Sequence, residues 1–226
     1  MNFNNKTIVI TGGSKGLGKS LAEVFKKEKA NVIICAKNLY NLSTTAKKIE
    51  VIPFVADVSK ENDVKSLARF AIKKFGTIDI WINNAGITQP YDSIEKIDIK
   101  RGRQIIETNL FGTIHGSRVA FEIMKQKNKG TIINIISTHA FSGRPQSSFY
   151  TTSKWAVRGF TKSLELASKP KKITVISVYP AGMKTDIFGK YKRDGYENFM
   201  EPLYVANKII ANLKKKRPSK ELIIKK

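Results

Sequence analysis

The stretch Lys6–Gly18, KTIVITGGSKGLG, holds a strand, a sharp turn and the opening of a helix. The β-branched run Lys6–Thr11 reads as a strand, and Leu17, Leu21, Val24 and Phe25 then fall on one face of a helix. The glycines between them have separate tasks. Gly12 lets the chain reverse, Gly16 removes a side chain where a ligand approaches the backbone, and Gly18 lets the helix pack close to the strand. A helix N-terminus offers unpaired N–H groups and a partial positive charge, which suits phosphate. Thr11, Gly12, Ser14, Lys15, Gly16, Leu17 and Gly18 are therefore expected to bind a dinucleotide, with its diphosphate at the glycines.

The same alternation continues outward. Strands are expected over Asn31–Ala36, Val51–Ala56, Ile78–Asn83, Thr131–Ser137, Ile173–Tyr179 and Glu221–Ile224. Pro53 marks the third as an edge strand. Helices are expected over Lys60–Phe75, from about Gln104 to Gln126, over Ser148–Ser168 and near Pro202–Lys214. Strands alternating with helices predict an α/β fold of Rossmann type. It is a doubly wound, mostly parallel seven-stranded sheet with helices on both faces, forming one domain over residues 1–226. Ligands of such sheets bind at the C-terminal strand ends, and the motifs below all fall there.

Composition narrows the class. The chain has 226 residues, 41% of them hydrophobic, enough to bury a large core. No apolar run is long enough for a membrane span, and the polar N-terminus runs straight into a strand, so no secretory signal is expected. Cys35 is the lone cysteine, which excludes an internal disulfide and suits a cytoplasmic location. The formal charge of +23 is spread over nearly every segment. Most of these lysines are expected on solvated helix faces. The Lys214–Arg217 cluster comes with no recognition motif, so nucleic acid is not an expected partner.

The end of the second strand bears on the cofactor. Sites that prefer NAD usually place an acid there for the ribose hydroxyls. Here the strand ends Cys35-Ala36-Lys37-Asn38, so Lys37 and Lys15 are expected to meet a 2′-phosphate. NADP(H) is preferred, with NAD(H) the alternative. Asp57 and Val58 follow the third strand, where Asp57 can accept from adenine or cap the next helix. The small residues of Asn83-Asn84-Ala85-Gly86 let the backbone line the cofactor, and Asn84 can tie neighbouring strands.

Tyr150 and Lys154 stand at i and i+4, so they share a helix face. A free tyrosine titrates near pH 10, and a fixed ammonium beside it favours the phenolate. Such a tyrosine can act as acid in reduction and as base in oxidation. Ser137, at a strand end, can hydrogen-bond a substrate oxygen.

The ordered set TGGSKGLG, Asp57, NNAG, Asn109 in TNLFG, Ser137, YTTSK and YPAGMKT resembles the short-chain dehydrogenases/reductases of the 250-residue type. The resemblance runs from about Lys6 to Thr185 and more loosely beyond. It implies a tetrad of Asn109, Ser137, Tyr150 and Lys154, with Lys154 also holding the nicotinamide ribose. In relatives, the residue matching Asn109 holds a water that joins the lysine to solvent. The resemblance also implies that Pro180, Gly182 and Thr185 flank the nicotinamide, and that two long helices build a homodimer or homotetramer. A departure is the short substrate-covering segment, about 186–201, where relatives often carry a helical pair.

The expected function is reversible carbonyl reduction and alcohol oxidation on a small molecule, with a 3-oxoacyl group on an acyl carrier protein among the candidates. The alternative is a dinucleotide-responsive binding protein without turnover. His115 and His139 have no partner at metal-ligand spacing, so no metal is expected. Ile87, Phe141, Phe149, Phe188 and Tyr191 are expected to form an apolar substrate wall. Trp155 is expected in the core or at a subunit interface.

Overall fold

The structure is a computed structural model that describes residues 1–89, 93–188 and 195–226. Seven strands form one sheet: β1 (Thr7–Thr11), β2 (Asn31–Ala36), β3 (Ile52–Val55), β4 (Ile80–Asn83), β5 (Gly130–Ile135), β6 (Ile173–Pro180) and β7 (Glu221–Ile224). Their order is β3-β2-β1-β4-β5-β6-β7 and every pairing is parallel. Pro53 lies on β3, which pairs only with β2 and forms an edge, so its missing N–H is not demanded by an inner ladder.

Helices α1 (Gly16–Lys27), α2 (Leu39–Ile49) and α7 (Pro202–Lys214) cover one face. On the other lie α3 (Glu61–Phe75), α4 (Ile99–Ile106), α5 (Gly112–Gln126) and α6 (Ser148–Ser168). Residue alternation along β1 feeds both layers. Ile8 and Ile10 pack with Leu21 and Phe25 on the first side, and Val9 packs with Leu67 and Trp81 on the second.

Two elements differ from the sequence expectation. Helix α2 falls where no element is expected and buries only Leu42, Thr45 and Ala46; Asn38 starts it by accepting from the Asn41 N–H at 2.8 Å. The helix expected from Gln104 begins earlier, at Ile99, where Asp98 caps the Arg101 N–H. It also passes through a π-helical turn, Glu107–Phe111, before continuing as α5. Such a turn adds a residue to the helix and re-aims the side chains around it.

A buried polar ladder crosses the core. Trp81 Nε1 donates to Asn83 Oδ1 at 2.8 Å. Asn83 Nδ2 donates to Asn134 Oδ1 at 2.8 Å and Ser117 Oγ at 2.9 Å, and Asn134 Nδ2 donates to Thr161 Oγ1 at 2.9 Å. It joins β4, β5, α5 and α6, and Gly116 makes room for it: a Cβ there would lie 2.1 Å from Asn83 Oδ1. Asn134→Leu keeps the branched outline of the side chain but removes the partners of Asn83 and Thr161. It should lower stability by about 2 kcal/mol, since buried polar groups left unpaired cost roughly 1–3 kcal/mol. Urea unfolding should show a lower midpoint with an unchanged slope.

Candidate active site

Strand order reverses between β1 and β4, because chain crossovers leave these neighbours in opposite directions. Thr11 knots the two ends together. Its hydroxyl accepts from the N–H groups of Asn84 (3.0 Å) and Ala85 (3.1 Å) and donates to the Ile82 carbonyl at 3.3 Å. Asn84 Nδ2 returns the tie to the carbonyls of Thr11 and Gly12, at 2.9 and 3.1 Å. Gly12 has φ +66°, and a Cβ there would meet Ala85 Cα at 2.8 Å. At Gly18 a Cβ would lie 2.2 Å from the Gly12 carbonyl oxygen, so only glycine permits this approach of helix to turn.

A cleft of about 450 Å³ opens at these strand ends. Gly12, Ser14, Lys15, Gly16 and Leu17 form one end of it. Helix α1 begins there with no side-chain cap and no acid in its first turn, so its leading N–H groups fit an anion. Ala85 and Gly86 line the cleft from the β4 end, and Pro180, Gly182 and Thr185 from the β6 end. The residues after β6 are pinned: Met183 forms a parallel bridge with Met200, and Phe199 fills the space that a Cβ on Gly182 would need.

Ser137, Tyr150 and Lys154 line the same cleft. Ser137 is 7% exposed and its hydroxyl accepts from the His139 N–H at 3.2 Å. Lys154 is buried, with Nζ 5.5 Å from the Tyr150 ring centroid. That Nζ donates to the Ile135 carbonyl at 3.2 Å. Burial pushes its pKa down to about 8. The Tyr150 ring stands edge-on to His139 at 5.2 Å, and His139 Nδ1 lies 3.2 Å from Thr151 Oγ1.

Asn109 is buried at the π-helical turn and does not line the cleft. Its Oδ1 accepts from the Ile87 N–H at 2.9 Å, and its Nδ2 donates to the Ile87 carbonyl and Ser153 Oγ, both at 3.0 Å. The side chain thereby ties the loop after β4 to α6.

Other expected contacts also sit outside the cleft. The Asn83 side chain faces the core ladder. Thr11 and Gly18 are taken up by packing the turn, as above. Lys37 and Asp57 form an ion pair at 3.3 Å. Burial pulls the Asp57 carboxyl up, but the Ser59 hydroxyl and N–H and the Lys37 ammonium outweigh it and leave it below its usual range. The Val58 carbonyl faces His115 Nδ1 at 3.0 Å, and its side chain occupies the space left by Gly112.

The apolar wall is not the one expected. Phe149 packs on Gly102, while Phe141 stacks with Tyr179 at 4.6 Å under the Arg158 guanidinium. Ile87 is engaged through its backbone by Asn109, and Tyr191 and the Phe188 side chain lie outside what is described. Met183, Ile187 and Phe199 line the cleft instead. Trp155 is 47% exposed, which removes it from the core.

Gln89 had no signal in the sequence. It is 8% exposed, and its Oε1 accepts from the Tyr150 N–H at 3.3 Å, supplying α6 with a cap from a distant loop. Arg144 and Ser147 also line the cleft, and neither belongs to a motif. Among the described residues no group of three metal-ligating side chains is present, and no helix is long and apolar enough to cross a membrane.

Comparison with known proteins agrees with this geometry. A family model described as short chain dehydrogenase matches residues 6–195. Glucose 1-dehydrogenase 2 of Bacillus subtilis (strain 168) is 33% identical over 194 residues, covering 81% of this chain and 74% of that protein. The crystal structure of 3-ketoacyl-(acyl-carrier-protein) reductase from Brucella melitensis, complexed with NADH, superposes with a TM-score of 0.91 at 27% identity, covering 98% of this chain and 97% of that one. ElxO, solved with NADP bound, gives a TM-score of 0.88 at 28% identity over 97% of both chains. Matched over most of its length by that family model, the chain belongs to the short-chain dehydrogenase family of oxidoreductases.

Proposed function

We propose that this protein is an NADP(H)-dependent carbonyl reductase, reversible as an alcohol dehydrogenase, in which Tyr150 exchanges the proton. The observation that carries the reading is the convergence of Ser137, Tyr150 and Lys154 on one cleft whose other end is the glycine turn. When bound there, the dinucleotide supplies or takes the hydride. The Ser137 hydroxyl donates to the substrate oxygen and shares its growing negative charge. The Tyr150 hydroxyl gives that oxygen its proton during reduction and takes it back during oxidation. Lys154 favours the phenolate, because a buried ammonium with one carbonyl partner gains most from a nearby anion. Asn109, through Ser153 and Ile87, positions the catalytic helix against the β4 loop.

Lys15 and Lys37 support NADP(H). Both ammonium groups are largely exposed and held by single carboxylates, Asp186 at 3.9 Å and Asp57 at 3.3 Å. Exposed pairs of this kind are worth little, so a 2′-phosphate can replace either carboxylate. NAD(P)(H) binding is further supported by structural relatives that hold NADH and NADP. A 3-oxoacyl carrier-protein substrate has the support of one relative's name and of the basic surface. The lone buried Cys35, its thiol pushed up to about 12 by burial, suits the cytoplasm. Self-association through α5 and α6 is supported by Trp155 and Leu166, which are 47% and 63% exposed on α6.

Tyr150→Phe should lower carbonyl reduction by about 10²–10⁴-fold, the usual share of a general acid, while the protein still binds NADPH. Absorbance loss over a carbonyl panel, run with NADPH and with NADH, reads both the reaction and the cofactor preference. Faster turnover with NADH would remove the NADP(H) assignment, and undiminished turnover in the variant would remove the proton role. Light scattering should give a dimer or tetramer; a monomeric mass would end that proposal.

Lys154 also sets a pH dependence. Its pKa is about 8 in the fold and returns to about 10.5 on unfolding, so the unfolded chain holds more protons between these values. Stability from this group therefore rises as pH climbs from about 8 to about 10.5, and the full burial penalty is felt below about 8. Urea midpoints of the dinucleotide-free protein should show this rise relative to Lys154→Met across that window. Parallel profiles for the two proteins would contradict it.

A further inference from the structure

Three cations line the cleft among the described residues: Lys15, Arg144 and Lys154. Lys15 faces Asp186, the one carboxylate among the described lining residues, and Lys154 is bound to the Ile135 carbonyl beside Tyr150. Arg101 and Arg158, nearby on α4 and α6, are also engaged, Arg101 by the Thr88 carbonyl and Arg158 by the Ala140 carbonyl. The Arg144 side chain alone has no hydrogen bond, ion pair or ring contact among the described residues. It is exposed, and it stands on the turn that leads into α6, where the Ser147 N–H donates to its carbonyl at 3.1 Å.

A second observation points to the same place. Ser147 is the N-cap residue of α6 and only 4% exposed, yet its hydroxyl caps no backbone N–H and has no partner among the described residues. It lines the cleft together with Arg144, Ser137 and Tyr150. An N-cap serine normally accepts from the second or third N–H of its helix. In α6 the Tyr150 N–H goes to Gln89 instead, and the first turn holds no acid. The largely buried Ser147, a guanidinium with no partner among the described residues and the positive end of a 21-residue helix therefore meet on one wall of the cleft.

We propose that Arg144 and Ser147 form a subsite for a carboxylate of the substrate, so that small oxo acids and their hydroxy counterparts, rather than neutral ketones or thioesters, are the preferred substrate class. The inference rests on the carbonyl-reductase reading above. The guanidinium fork matches a carboxylate in two hydrogen bonds, and Ser147 Oγ supplies a third donor. The carbonyl of the same molecule then lies toward Ser137 and Tyr150. Beyond Arg144 the cleft meets an open groove that contains Glu95, whose carboxylate accepts from Ser93 Oγ at 2.6 Å and stays ionised. That charge disfavours a long anion lying outward along the groove and leaves the acid on the inner side. A thioester carries no charge near its carbonyl and leaves the guanidinium unused.

The test compares 2-oxo-, 3-oxo- and 4-oxopentanoate with their methyl esters as substrates of the wild type, Arg144→Met and Arg144→Lys. At least one acid should exceed its ester in kcat/KM, and chain length reads the span from carboxylate to carbonyl. Arg144→Met should shrink the acid-to-ester ratio by about tenfold to a hundredfold, the effect of losing one charge-assisted pair, and Arg144→Lys should restore part of it. Esters turned over as well as acids, or a ratio unmoved by Arg144→Met, would overturn the subsite. Calorimetric titration of 4-oxopentanoate into the protein, with and without NADP⁺, separates this from the reductase reading. Carboxylate binding that requires Arg144 without turnover of any carbonyl would sink the reductase and keep the subsite. Binding indifferent to Arg144 would sink the subsite whatever the turnover.

Discussion

Lys154 is an ammonium taken out of water and given a single carbonyl, that of Ile135, in return. Taking an ion into a protein interior costs several kcal/mol unless nearby charge or dipoles repay it. Among the described residues no carboxylate pairs with it, so the repayment is left to groups that enter or ionise in the cleft: under the proposed reading, the Tyr150 oxygen and hydroxyls of a bound ligand. That imbalance makes the pair useful. A lysine already neutralised by an aspartate would have little left with which to favour a phenolate.

An unpaired cation works only if it cannot move to find a partner, and the surrounding hydrogen bonds all restrain α6. Gln89 holds its N-terminal turn, Asn109 holds Ser153 one residue before the lysine, and Asn134 holds Thr161 two turns farther on. These restraints come from the β4 loop, the π-helical turn and β5, so the helix is fixed against three separate elements. The π-helical turn matters here because it re-aims Asn109 between the Ile87 backbone and Ser153. The same anchoring explains why polar groups persist in the core between β4, β5, α5 and α6, where apolar packing alone would leave the helix free to slide.

How much of this could be read from the sequence follows from the range of the interactions. The seven strands and their parallel sheet were legible because each strand is a short apolar run alternating with a helical pattern; their order was not, since crossovers between distant segments set it. Gly12, Gly18, Tyr150 and Lys154 were legible because turn geometry and helix spacing are local. Helix α2 was not, since it buries only Leu42, Thr45 and Ala46 and is started by one asparagine. Gln89, Arg144 and Ser147 gave no signal, because their placement depends on where loops after β4 and β5 meet the start of α6. The same distance dependence hid where Phe141 and Phe149 pack: Tyr179 and Gly102, far off in sequence, offer the surfaces they meet.

Charge acts here on two scales that should be kept apart. The net +23 is a property of the whole surface, and at physiological ionic strength it steers anions only over about a Debye length, roughly 8 Å. Within the cleft, selectivity depends on what each cation already touches. Lys15 and Lys37 carry largely exposed ammonium groups, each paired to one carboxylate, the exposed Asp186 and the half-buried Asp57, so they discriminate weakly between ligands. Lys154 pairs with no anion among the described residues and lies beside Tyr150, so under the proposed reading it responds to ionisation there. Arg144 has no partner among the described residues and a planar fork, so it responds to shape as well as charge. Under the proposed subsite, Arg144, rather than the basic surface as a whole, is the cation that distinguishes one small carbonyl compound from another.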